Sequence, residues 1–68
     1  MLDENVKVVD AIRIAIEREK KAVEFYAQAV NITKDPGAKK MFEHLLNEEK
    51  RHVQILEEEY DKNIMTEM

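Results

Sequence analysis

Thr33-Lys34-Asp35-Pro36-Gly37 (TKDPG) contains the one proline and the one glycine of a 68-residue chain, and it lies near the midpoint. On either side the residues follow a helical period, so the reading of these five positions decides whether the chain is one long rod or a hairpin. Asp35 is a residue type whose carboxylate accepts from the free N–H groups of a helix start. Pro36 suits the first helical position because its missing N–H would have gone unpaired there. The stretch therefore predicts a stop and a restart: a first helix over about residues 5–32, a loop at 33–35 and a second helix over about 36–64. The tail Thr66-Glu67-Met68 is expected to fray. With so short a connection the two helices become antiparallel neighbours, and the fold class is all-α.

Composition narrows the function classes. The chain is 38% charged and 44% hydrophobic with a formal charge of -4, the profile of a single helical unit. Lys20-Lys21, Lys39-Lys40 and Lys50-Arg51 are interleaved with glutamates. A phosphate backbone needs an unopposed basic stripe, so nucleic acid is not expected as a partner. No apolar run approaches the roughly 20 residues of a membrane span, and Met1-Leu2-Asp3-Glu4 is too acidic for a signal peptide. The absence of cysteine rules out disulfides and thiolate metal sites. That permits a reducing cytoplasm and leaves oxygen and imidazole nitrogen as the metal donors.

Within the first helix Val9, Ile12, Ile16, Glu19, Val23, Tyr26 and Val30 step by three and four, the spacing of a stripe facing a bundle, and all are apolar or aromatic except Glu19. Phe42, Leu46, Glu49, Val53, Leu56 and Tyr60 form the matching stripe of the second, interrupted by Glu49, with His52 three residues on along the same face. Counted from the turn, Glu19 lies thirteen residues before Ile32 and Glu49 thirteen after Pro36, so the two occupy one level of the hairpin. Met41 and Phe42 read as core, His44 as surface. Glu57, Glu58 and Glu59 read as solvent-facing, with Glu59 also placed to line a path for incoming cations.

A bare hairpin has one seam and cannot wrap a core around itself, and chains this short without disulfides need a metal, a partner or both. A homodimer or higher homo-oligomer is therefore expected, most simply two hairpins forming a four-helix bundle. Val6, Val8 and Ile14 broaden the apolar surface near the start of the first helix and hint at one further contact. A twofold axis perpendicular to the bundle would bring two copies of the mid-helix cluster together. Four carboxylates in one core repel one another and cost several kcal/mol each if unpaired, in round terms. Protonation is one escape, and two divalent ions, which would neutralise them, are the other. The donor set favours iron or manganese, with zinc adventitious, and leaves coordination open for water, oxygen or peroxide.

Glu19-Lys20-Lys21-Ala22-Val23-Glu24-Phe25-Tyr26 resembles the first-helix signature of rubrerythrin-like proteins, a metal-binding Glu followed by Ala at +3 and Tyr at +7. Glu49-Lys50-Arg51-His52 matches that family's Glu-x-x-His, and Asn47-Glu48-Glu49 is similar to encapsulated ferritin-like proteins. The resemblance implies a ferritin-like di-iron carboxylate protein in which Glu19, Glu49 and His52 are ligands and Tyr26 is a neighbour of the site. A full rubrerythrin-type domain carries two such helix pairs in one chain, whereas this chain has one, so a second subunit would complete the centre. It also lacks the cysteine-ligated rubredoxin centre through which rubrerythrins pass electrons.

The expected activity is oxidation of ferrous iron, or reduction of oxygen or peroxide, by two irons per dimer. Storage of a mineral core would require a larger assembly or an enclosing protein shell. Two residue-level alternatives stand beside this. Glu48, at i-4, competes as a bonding partner for His52 and as a ligand. The whole hairpin also reads as an interaction module whose Glu and His form a metal-free polar network.

Overall fold

The computed structural model describes residues 7–67, with side chains described through Asn63. Two helices account for nearly all of it: α1, Val8–Ile32, and α2, Pro36–Glu67. Asn5 and Val6, the expected first residues of α1, lie outside the described residues, as does Met68. At the turn, Thr33 leaves the helical region with φ -80° and ψ 124°, and its N–H still donates to Ala29 O at 3.0 Å. Asp35 then caps α2: its Oδ2 accepts from the N–H of Ala38 at 2.8 Å while its carbonyl accepts from Lys39 at 2.9 Å. Gly37 is not needed for its conformational freedom, because no described glycine has positive φ.

At its other end α2 runs on to Glu67 rather than stopping near Ile64, so Thr66 and Glu67 are helical where fraying was expected. No glycine or proline follows Gly37 to end the helix.

The helices pack along the expected seam. Tyr26 of α1 meets Phe42 of α2 with ring centroids 6.2 Å apart, and Phe25 sits edge-on to Tyr26 at 5.3 Å. Lys20 bridges to Glu57 across the helices at 3.5 Å.

What the hairpin does not make is a core. The molecule measures 48 × 23 × 13 Å with a radius of gyration of 15.2 Å, against about 11 Å for a compact domain of this length. Among the described residues Ala29 alone is buried. Met41, expected inside, is half exposed, as are Ile55 and Phe25. Met41 precedes the seam residue Phe42 by one position, and the roughly 100° between successive helical residues turns it out of a seam that has only one wall. No helix among the described residues is long and apolar enough to cross a membrane.

Candidate metal centre

Glu19, Glu49 and His52 come together as their spacing predicts. Each offers a donor atom lying within 4.8 Å of the others, and among the described residues this is the cluster suited to a metal ion. The antiparallel register puts Glu19 of α1 at the level of Glu49 of α2, and one helical turn brings His52 up beside Glu49. His52 Nδ1 stands 3.5 Å from Glu19 Oε2 and 3.6 Å from Glu49 Oε2. These distances qualify as ion pairs if the imidazole is protonated. They are not hydrogen bonds, and both Oε2 atoms are shielded from solvent without a hydrogen-bond partner.

Two lone-pair-bearing carboxylate oxygens therefore sit desolvated and unsatisfied around one imidazole nitrogen, an arrangement that costs free energy unless something positive is shared among them. The geometry suits a cation. Ligands held about 2.0–2.2 Å from a metal ion stand roughly 2.8–3.6 Å apart at octahedral to tetrahedral angles, and the two His52 contacts fall at the upper edge of that span. The set is hard and nitrogen-poor, with no sulfur, and so it fits iron or manganese.

The cluster is not enclosed, however. The His52 side chain is 49% exposed, that of Glu19 31% and that of Glu49 19%. Sequence spacing pointed to ionisable groups inside a bundle. One hairpin supplies only half of such an interior, so they lie at its open face. There Glu19 and His52 line a shallow groove with Ala15, Ile55 and Leu56. A second groove, formed by Ala11, Ile14, Ala15 and Arg18, meets the first at Glu19. Elsewhere on the hairpin Arg13, Glu17, Lys20, Glu57 and Asp61 surround Ile16 and Tyr60, and beside them Val23 and Val53 line a further groove with Lys20, Glu24 and Lys50.

The remaining candidates stay outside the cluster. Tyr26 makes aromatic contacts with Phe25 and Phe42. Glu48 is half-buried but is not one of the three grouped residues. Glu59 approaches Lys62 at 4.0 Å, and its carbonyl accepts from the Asn63 side chain at 2.8 Å. His44 is exposed, as expected. Glu57 is exposed, as expected, but its bridge to Lys20 escaped the sequence reading.

Comparison with known proteins agrees with this geometry. The sequence profile of the family described as Rubrerythrin matches residues 1–60, which include both helix seams and all three clustered residues. Comparisons with curated proteins and with solved structures found no significant match. A match over that much of the chain, with the Glu, Glu and His of its metal-type cluster in place, makes this protein a member of the rubrerythrin family.

Proposed function

We propose that two copies of this hairpin form a non-haem di-iron centre, each contributing Glu19, Glu49 and His52, and that the protein oxidises ferrous iron or reduces oxygen or peroxide. The observation that carries the reading is the pair of buried, unpartnered carboxylate oxygens converging on one imidazole. Rubrerythrin-family membership supports iron as the occupant, with manganese as the alternative and zinc as an adventitious one. When bound, iron supplies one-electron redox chemistry that no side chain here provides.

The chain's own residues bind and orient. Glu19 and Glu49 neutralise the cation charge, and His52 donates through a ring nitrogen, its other nitrogen free to fix the tautomer by an outer hydrogen bond. The apolar residues around the groove thin the water near the site and strengthen every charge interaction in it. No protein nucleophile is required.

The test is metal analysis of the purified protein, followed by addition of ferrous iron in air. The proposal expects about one iron per chain and a rising near-ultraviolet ferric absorption, both abolished in Glu49→Ala and His52→Ala. Iron oxidation no faster than in buffer, together with melting that a chelator leaves unchanged, would instead make the cluster a metal-free polar network in a helical interaction module.

A further inference from the structure

We propose that the side of α1 turned away from α2 is a docking stripe for an acidic amphipathic helix of a partner protein. This reading stands apart from the metal centre and uses none of its ligands.

The stripe has the period of a second seam. Ile14, Arg18, Lys21, Phe25, Gln28 and Ile32 step by four, three, four, three and four, the spacing that keeps residues in line where one helix packs along another. At about 100° per residue all six fall between about 100° and 180° round α1 from Glu19, on one side, whereas the seam residues Val23 and Tyr26 stay within about 40° of it. The helix α2 leaves this line uncovered. Phe25 is 61% exposed and Ile32 77%, and Arg18, Lys21 and Gln28 are exposed with them. Ile14 is half-buried, and the shallow groove it borders is built from residues of α1 alone.

The charge of the stripe is one-sided. The chain carries -4 overall, yet the ionisable members here, Arg18 and Lys21, are both cations. Among the described residues neither makes an ion pair. The acids of α1 are committed elsewhere. Asp10 and Glu17 approach Arg13 at 3.8 and 3.6 Å, and Glu19 belongs to the metal cluster. Glu24 lies about 140° round the helix from Glu19 on the other side. Glu17 is the residue placed to pair with Lys21 at i,i+4, and Arg13 holds it instead.

Two unpaired cations set between large apolar side chains suit an anion carried on an apolar support. A helix supplies both when it places apolar residues against Ile14, Phe25 and Ile32, and Asp or Glu against Arg18 and Lys21. An anionic bilayer has the same chemistry, but two observations favour the helix. An interfacial helix presents a broad apolar face to lipid, and this stripe is one residue wide, with Arg18, Lys21 and Gln28 in line with its apolar members. The net negative charge also opposes approach of the whole molecule to an anionic surface. A helix laid along the roughly 27 Å from Ile14 to Ile32 meets chiefly the local cations, because charges more than about 10 Å off are screened.

Two fluorescent helical peptides of about 21 residues, long enough to span the stripe, serve as probes. They share a leucine stripe and differ in whether glutamate or lysine flanks it. Binding to the full chain is followed by anisotropy at low salt. The glutamate peptide should bind at least tenfold tighter than the lysine peptide. Ile32→Asp, at a site already exposed, should weaken that binding at least tenfold with helicity retained. Arg18→Glu combined with Lys21→Glu should reverse the preference. Equal affinity for the two peptides, no binding of either, or binding that these substitutions leave unchanged overturns the proposal. So does attachment to phosphatidylserine vesicles that Ile32→Asp abolishes, which would make the stripe a membrane contact. In sedimentation, Ile32→Asp should self-associate as the parent chain does, and a loss of self-association would make the stripe a contact between copies instead. Metal content should be the same in all these variants, so failure of the stripe leaves the metal centre standing.

Discussion

At the scale of single residues, the turn and the ligands make separable demands. The Asp35 carboxylate satisfies the Ala38 N–H at the start of α2, and loss of such a cap costs about 1 kcal/mol. Asp35→Ala should therefore lower the urea midpoint without moving metal affinity. Gly37 offers the opposite outcome. A Cβ added there meets Asp35 Oδ2 at 3.5 Å, an ordinary contact, and the residue sits in the first turn of α2 without positive φ. Gly37→Ala should stabilise the fold by about 0.5–1 kcal/mol through the unfolded chain, read as a higher midpoint in the same titration.

Glu49→Gln removes charge but keeps shape, so metal affinity should fall at least tenfold while apo-protein helicity is unchanged. A variant that unfolds instead would mean that Glu49 supports the hairpin rather than a ligand set. These positions were legible because each follows from local chemistry: the cap from residue types around Pro36, the clustered Glu19, Glu49 and His52 from ionisable groups breaking an apolar stripe. Met41 was not. Helical arithmetic alone leaves a residue beside the seam ambiguous, and its exposure depends on what lies across from it.

Among the elements, α1 and α2 hold their register by seam packing, with help from one exposed ion pair. Lys20 and Glu57 are each more than half exposed, so the bridge is worth about 0.2–1 kcal/mol and less at high salt. Lys20→Met should shift the melting temperature by a few degrees at most. A large loss of metal affinity in that variant would show that the pair, rather than the seam, sets the level of Glu19 against Glu49.

Period-three-and-four stripes made both helices readable, and the thirteen-residue counts from the turn gave the register that the donor distances now display. The far end of α2 was harder to read. Nothing in Asp61-Lys62-Asn63-Ile64 breaks a helix, and a terminus without a breaker has no sharp local signal.

On the scale of the whole molecule, 68 residues in one seam leave a rod 13 Å thick with almost no interior. That much follows from length alone. The exposure of the cluster does not, because the stripes read as the inside of a bundle and a single hairpin covers each stripe from one side only. Stability should therefore be linked to whatever fills the open face. Ferrous or manganous ions at a hundred times their dissociation constant should raise stability by about 2.7 kcal/mol, with the melting temperature also rising with protein concentration. Chelation should reverse the metal-dependent gain. A melting temperature indifferent to both variables would mean that the hairpin is stable by itself and that its open face has another purpose.

The central claim is that Glu19, Glu49 and His52 face one another because a cation belongs between them. Crystals grown with manganous salt, with anomalous scattering recorded from the metal, test it most directly. The account predicts a peak in contact with carboxylate oxygens of Glu19 and Glu49 and a ring nitrogen of His52. A map without that peak, in which Glu19 and Glu49 have swung out to solvent, would contradict it.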